Sequence, residues 1–188
     1  MQNKTVIIGL GSIGLRHAKI LSSKNFSLYI FSRNNSHNYK KIIKINDIID
    51  IDPDYIVISN LTYDHLKILR FIDKNFEGKK CLIEKPLFSI FNKNIPKLKN
   101  NSYYIGYILR FHPFYEEVKG IIKKDFNKIF HIEFNSSSYL PNWRTNIDYI
   151  KSSSSSKKSG GVIHDYSHEI DFILSLFGYF NINFVKHC

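Results

Sequence analysis

The sequence predicts an α/β fold in which a parallel sheet carries helices on both faces. Short runs of β-branched and other apolar residues, typical of strands buried on both faces, recur as far as about residue 107. Segments with helical spacing separate several of these runs, as the crossover connections of parallel strands require. The predicted strands lie at 4–8, 26–31, 54–59, 80–83 and 103–107, and 42–51 is a short amphipathic element.

A glycine motif follows the first predicted strand. Gly9, Gly11 and Gly14 fit the spacing G-x-G-x-x-G, and the following residues can continue as a helix. In such a turn the glycines allow a tight bend, close approach of the backbone to a pyrophosphate, and close packing of helix on strand. The N-terminus of the helix predicted behind these glycines, over Leu15 to Ser22, offers free N–H groups to an anion. The motif predicts a Rossmann domain that binds a dinucleotide.

The end of the second strand indicates which dinucleotide is bound. An Asp or Glu about twenty residues past the glycines would bind the ribose 2′-hydroxyl of NAD. Ser32 and Arg33 stand there instead and offer a hydroxyl and a cation that suit a 2′-phosphate. We therefore expect NADP, with NAD as the alternative if Arg33 is an ordinary exposed loop residue.

Polar residues also follow the third strand, at the edge where ligands bind in open α/β folds. Asn60, Thr62 and His65 lie at this strand-to-helix turn, and Thr62 or Asp64 suits a helix N-cap. We assign Asn60, Thr62 and His65 to the cofactor. The alternative for His65 is an ordinary histidine at a helix start.

The fourth strand ends in Glu84-Lys85-Pro86. Lys85 is thus predicted at the carboxyl edge of the sheet, close to the bound cofactor. A lysine in such a cleft can act as a general acid or base. The alternative for Lys85 is a surface lysine.

The second half of the chain breaks the strand–helix alternation. An amphipathic helix is predicted to about residue 124, an extended stretch surrounds 130–134, and the serine-rich 152–156 is typical of a loop. Gly160 and Gly161 then open an apolar helix that ends at about residue 177. Asp165 and His168 are three residues apart and would share a helix face. They suit an acid/base pair; polar residues on a helix surface are the alternative.

Composition excludes several classes of protein. The chain has 188 residues, of which 43% are hydrophobic, so a core can form. The net charge of +11 comes from scattered lysines rather than a basic helix or strand face, so we expect no nucleic-acid partner. Cys81 and Cys188 are too few for a disulfide framework or a zinc site and favour a reducing cytoplasm. Apolar runs are too short to span a bilayer, so we expect a soluble protein without membrane attachment.

Five motifs follow one another along the chain. They are Gly9-Leu10-Gly11-Ser12-Ile13-Gly14-Leu15-Arg16-His17, Asn60-Leu61-Thr62 with His65, Glu84-Lys85-Pro86, Gly106-Tyr107 with Arg110-Phe111 and Pro113, and Gly160-Gly161 to Asp171. Together they resemble the Gfo/Idh/MocA oxidoreductase family. A further group resembles its branch found in surface-polysaccharide and nonulosonic-acid sugar pathways, namely Tyr139-Leu140-Pro141 with Trp143, Asp148-Tyr149 and the Ser-His-Glu-Ile-Asp sequence ending at Asp171.

The resemblance implies an NAD(P)-binding Rossmann domain at 1–124 and an α+β substrate domain at 125–188. It implies hydride transfer between nicotinamide and a hydroxyl or keto carbon of a sugar or nucleotide sugar, and homo-oligomers among full-length relatives. Lys85, Asp165 and His168 fall on the family's catalytic positions. Substrate contacts are assigned to Arg110, Trp143 and His164, and cofactor contacts to Gly9, Gly11, Ser12, Ile13, Gly14, Ser32, Arg33, Asn60, Thr62, His65, Glu84 and Lys85.

The chain departs from the family pattern at three points. Ser159 stands where a third glycine is usual, and the shorter spacing before His168 leaves His164 or Asp165 as the family aspartate's equivalent, of which we prefer Asp165. Family members are also much longer. We therefore expect an incomplete second domain, in a fragment, a prematurely terminated reading frame or one half of a split protein. The alternative function is a non-catalytic dinucleotide-binding fragment or an inactive remnant.

Overall fold

A computed structural model of the chain describes residues 2–33, 39–89, 97–142, 148, 150, 152–156, 160–184 and 186. Its contacts form two units, which we describe separately. The first spans Met1–Gly106, and the second spans Tyr107–Ser156 and Gly161–Cys188. The sequence predicts a domain boundary near residue 124. In the structure, the helix at Pro113–Asp125 groups with the second unit.

The first unit is built on a six-stranded parallel sheet with the order β3-β2-β1-β4-β5-β6, and this confirms the predicted α/β fold. The shortest of these strands, β3, overlaps the start of the amphipathic element at Ile42 and is not predicted as a strand. Its sequence, Lys-Lys-Ile, holds one apolar residue and so lacks a strand pattern. The strands are β1 (Lys4–Ile8), β2 (Ser27–Phe31), β3 (Lys40–Ile42), β4 (Tyr55–Ile58), β5 (Lys80–Ile83) and β6 (Ser102–Ile105).

Helices cover both faces of this sheet, as predicted. Successive residues of a strand point to opposite faces, so Val6 and Ile8 join one core while Ile7 joins the other. The first core includes Ile48 and Ile72 from the helices on its side, and the second includes Ala18. The helices of this unit are α1 (Ser12–Ser23), α2 (Asp47–Ile51) and α3 (His65–Asn75).

The second unit packs around Phe172. The centre of the Phe172 ring lies 6.0 Å from the ring centres of Phe114 and Phe134 and 5.7 Å from that of Tyr115. The sequence predicts a strand around Phe134, but none of the described residues of this unit pairs in a sheet. The described α-helices of this unit are α4 (Pro113–Asp125), α5 (Val162–Asp165) and α6 (Ser167–Phe177), of which α4 and α6 supply rings to this packing.

The helix predicted after the paired glycines is broken at Tyr166, so the prediction of a single helix is wrong. The Ser167 hydroxyl donates a hydrogen bond to the His164 carbonyl at 3.0 Å. This side-chain bond lies at the break between the two helices. Asp165 and His168 therefore lie on two successive helices.

No helix in the described part of the chain combines the length and the apolar character needed to cross a membrane.

Candidate functional site

The glycine turn is packed tightly against the end of β4. Gly9 has a φ of +94°, and a Cβ there would lie 2.5 Å from the Asn60 nitrogen. A Cβ on Gly14 would lie 2.1 Å from the Gly9 carbonyl oxygen and 2.7 Å from the Ser59 hydroxyl. That hydroxyl donates a hydrogen bond to the Gly9 carbonyl at 2.8 Å. The two glycines are thus required by packing between the turn and the neighbouring strand.

Gly11 has the opposite environment. A Cβ on Gly11 would meet no atom within 4 Å, and Gly11 caps α1 without a side-chain hydrogen bond. The first N–H groups of a helix have no partner within the helix. The turn therefore presents an open side with N–H donors and a positive helix end, which fits a pyrophosphate.

A buried acceptor lies beside this turn. The side-chain oxygen Oδ1 of Asn60 is buried and has no hydrogen-bond partner among the described residues. Since buried acceptors are normally satisfied, this oxygen suits a donor from a bound molecule, such as a hydroxyl or an amide. Together with the open side at Gly11, it makes the turn fit a dinucleotide.

Ser32 is joined to the glycine turn. The Leu10 N–H donates to the Ser32 hydroxyl oxygen at 3.2 Å, and the Gly9 N–H donates to the Phe31 carbonyl at 2.9 Å. The end of β2 thus lies next to the glycines, as the prediction requires. Arg33, the next residue, is exposed.

Glu84 has a partner that the sequence does not reveal. Its carboxylate oxygen Oε1 lies 2.6 Å from Nε2 of His17, on α1. A Cβ on Gly106 would lie 3.4 Å from both carboxylate oxygens. His17 stands in the glycine motif of the sequence, but its contact with a residue 67 positions away has no local pattern to predict it.

His65 lies beneath the Asn60 turn rather than on its surface. Only 1% of His65 is exposed, its Nε2 lies 3.2 Å from the Asn60 carbonyl oxygen, and its Nδ1 lies 3.1 Å from that of Leu87. Burial lowers the pKa of His65 below its ordinary 6.5, although hydrogen bonds to the two carbonyls oppose the shift. His65 therefore supports the turn from within the core.

Lys85 and Thr62 lie on turns at the same edge of the sheet. Lys85 is half-buried, and its peptide bond to Pro86 is cis. Thr62 begins a short 3₁₀ helix, Thr62–Asp64, that leads into α3. Asp64 occupies the N-cap position of α3, as one of the two predicted candidates, although it makes no side-chain capping hydrogen bond.

In the second unit, the predicted catalytic residues Asp165 and His168 contact other side chains of the same unit. Asp165 accepts a hydrogen bond at 3.1 Å from the hydroxyl of Ser154, which lies in the predicted serine loop. The rings of His168 and Tyr107 form a T-shaped pair, with ring centres 6.0 Å apart. Burial is the main cause that raises the pKa of Tyr107, and the charge of Asp171 adds to it.

Arg110 forms a double hydrogen bond with Asp171. Its Nε and one terminal nitrogen donate to the two carboxylate oxygens at 2.7 and 2.6 Å. This contact joins the turn before α4 to α6, and its role in substrate binding stays a prediction. His164 is half-buried, and Trp143 lies outside the described residues.

Comparisons with known proteins identify the fold. By sequence, the chain matches no protein-family model and no curated protein. Among solved structures, it is similar to myo-inositol 2-dehydrogenase from Lactobacillus plantarum, with 24% identity and a TM-score of 0.71 over 95% of this chain and 57% of that one. It is also similar to the WlbA (WbpB) dehydrogenase from Thermus thermophilus, solved with NAD and UDP-GlcNAcA, with 19% identity and a TM-score of 0.69 over 94% and 64%.

A third similar structure is UDP-N-acetylglucosamine 3-dehydrogenase GnnA from Acidithiobacillus ferrooxidans, with 19% identity and a TM-score of 0.53 over 64% of this chain and 43% of that one. These neighbours are Gfo/Idh/MocA-type dehydrogenases. The chain therefore has the fold that the sequence motifs predict, and it spans 43–64% of the length of these three proteins.

The buried state of His65 predicts a pH dependence of folding stability. Above its ordinary pKa of 6.5, His65 is neutral in both the folded and the unfolded chain. As the pH falls below 6.5, His65 is protonated in the unfolded chain before it is protonated in the folded chain. The free energy of unfolding therefore decreases until the pH passes the lower pKa of His65 in the folded chain.

The free energy of unfolding, measured with urea, should therefore fall more steeply between about pH 7.5 and 5.5 for the wild type than for His65→Gln. The matched control is His131→Gln, at an exposed histidine, which should keep the wild-type slope. An equal slope for His65→Gln and the wild type would contradict the assignment.

Proposed function

We propose that this protein is an NAD(P)-dependent oxidoreductase of the Gfo/Idh/MocA type. It transfers a hydride between nicotinamide and a hydroxyl or keto carbon of a sugar or nucleotide sugar. The observation that carries the proposal is the glycine turn, which is closed by packing at Gly9 and Gly14 and open at Gly11. Its place in the fold of sugar dehydrogenases supports the oxidoreductase class.

The cofactor is bound at the carboxyl edge of the sheet. The N–H groups at Ser12 and Ile13 face the pyrophosphate, and the Asn60 side chain faces a hydroxyl or amide of the cofactor. Arg33 carries the preference for NADP, because its cation pairs with a 2′-phosphate. The NAD bound by WlbA supports a nicotinamide dinucleotide in general.

The protein residues direct the proton that accompanies the hydride. When bound, the cofactor accepts or supplies the hydride at nicotinamide. In oxidation, the substrate carbon loses a hydride while its hydroxyl gives the proton to the His168 ring. Asp165 orients this proton acceptor, and the Lys85 ammonium polarises the reacting oxygen or exchanges a proton with it.

The substrate belongs to the sugars or nucleotide sugars. An inositol dehydrogenase and two nucleotide-sugar proteins are among the structures with this fold, which supports a polyhydroxylated substrate. The sequence motifs further favour a role in surface glycan biosynthesis. We retain Arg110, Trp143 and His164 as predicted substrate contacts.

Gly11→Ala tests the cofactor site. The added methyl group meets no protein atom, so the stability of the protein should change by less than about 1 kcal/mol. The same methyl group would occupy the space assigned to the pyrophosphate. We therefore expect the Kd for NADPH, measured by quenching of intrinsic fluorescence or by calorimetry, to rise by at least about tenfold.

The matched control is Gly120→Ala in α4, where a Cβ also meets nothing within 4 Å. This variant should bind NADPH like the wild type. Equal affinity of Gly11→Ala and Gly120→Ala would contradict the proposed cofactor site.

Arg33→Asp tests the cofactor preference. Loss of the cation and gain of a carboxylate should weaken NADP binding about tenfold or more and strengthen NAD binding, since a carboxylate binds the ribose hydroxyls. Titration of both dinucleotides measures the change. Arg70→Asp, at an exposed arginine of α3, is the control that should leave the preference unchanged. A wild type that prefers NAD would overturn the role of Arg33.

Turnover separates the enzyme from a non-catalytic dinucleotide-binding protein. Reduced cofactor is followed by its absorbance with sugar and nucleotide-sugar substrates, and Lys85→Ala and His168→Ala should each lower kcat by about 10²-fold or more. Dinucleotide binding without turnover on any substrate of these classes would favour the non-catalytic alternative.

A further inference from the structure

The segment that carries Lys85 is held on both sides by histidines from other elements. On one side, Glu84 contacts His17 of α1; on the other, the Leu87 carbonyl contacts His65 of α3. The residues in these contacts are 67 and 22 positions apart in the sequence, and their contacting atoms are 2.6 and 3.1 Å apart. They join the lysine segment to the two helices that begin at the cofactor edge of the sheet.

The contact at Glu84 is the shorter and more enclosed of the two. His17 Nε2 and Glu84 Oε1 lie 2.6 Å apart, within hydrogen-bond distance, and the two side chains are only 21% and 16% exposed. The Glu84 N–H also donates to the Ile58 carbonyl of β4 at 2.8 Å. Gly106 lies against the carboxylate, because its Cβ would be 3.4 Å from both oxygens. The carboxylate therefore has little freedom to turn elsewhere.

His17 also links this contact to the cofactor site. It lies on α1, three residues after Gly14 and on the helix whose first turn faces the assigned pyrophosphate position. A displacement between α1 and the end of β5 would thus move Lys85 relative to the cofactor. The hydrogen bond between His17 and Glu84 spans this gap directly.

We propose that His17 and Glu84 are positioning residues that fix the Lys85 segment relative to the cofactor helix α1. This inference rests on the proposed function, in which Lys85 acts on the substrate oxygen. Misplacement of a reacting group by about 1 Å can cost about 10²-fold in rate, so loss of the contact should reduce kcat strongly. Binding of the dinucleotide depends on the glycine turn and should change little.

The test compares His17→Ala with His17→Gln. Glutamine keeps an N–H donor that can reach a carboxylate, whereas alanine removes it. We expect His17→Ala to lower kcat by at least about tenfold with less than about a twofold change in the Kd for NADPH. His17→Gln should restore most of the kcat. His131→Ala, at an exposed histidine, is the matched control and should leave both quantities unchanged.

A second measurement does not depend on turnover. The rate at which an acylating reagent modifies Lys85 is measured by mass spectrometry, with exposed Lys67 as an internal reference. In His17→Ala this rate should change at least about twofold relative to the reference, and His17→Gln should restore it.

The outcomes are distinct. A parallel loss of kcat and NADPH affinity in His17→Ala, or no rescue by His17→Gln, would overturn the inference. If the wild type binds NADPH but turns over no sugar, the proposed function fails, and the acylation rate alone decides whether His17 positions Lys85. An acylation rate unaffected by His17→Ala would then overturn the inference.

Discussion

The close contact between the glycine turn and the end of β4 is the constraint on which the rest of the first unit depends. Gly14 lies so near the Gly9 carbonyl that no side chain fits between them, and Ser59 bonds to the same carbonyl. This contact sets the position at which α1 leaves the sheet. Because the first turn of α1 presents the N–H donors, the packing of two glycines determines where an anion can bind.

Strong local patterns explain which parts of the fold the sequence predicts. The strands β1, β2 and β4 each contain a continuous apolar run, and Gly178 ends α6 with a φ of +77°, as a glycine at a helix end should. β3 has one apolar residue in three, so its sequence lacks the pattern from which a strand is predicted. The helix is interrupted at Tyr166, which helix periodicity does not reveal.

The candidate site likewise contains residues that local sequence predicts and contacts that it does not. The three glycines are predictable from the spacing of the motif, in which Gly9 and Gly14 are required by packing and Gly11 leaves space for an anion. The partners of the charged residues are not, since Glu84 bonds to His17 across 67 positions and Arg110 bonds to Asp171 across 61. Only the fold decides these pairs. The sequence accordingly identifies Glu84 and Arg110 as functional candidates without showing that other side chains hold them.

These pairings bear on the chemistry assigned to each residue. The Glu84 carboxylate is engaged by His17, and the buried His65 faces two backbone carbonyls, so both contribute to the arrangement of the turns. A group that exchanges protons with a substrate has to reach it, and a ring that is 1% exposed does not. This favours Lys85, which is half-buried on the same turn as Glu84, as the residue of the first unit that acts on the substrate. In the proposed mechanism, the neighbouring histidines fix where that lysine lies.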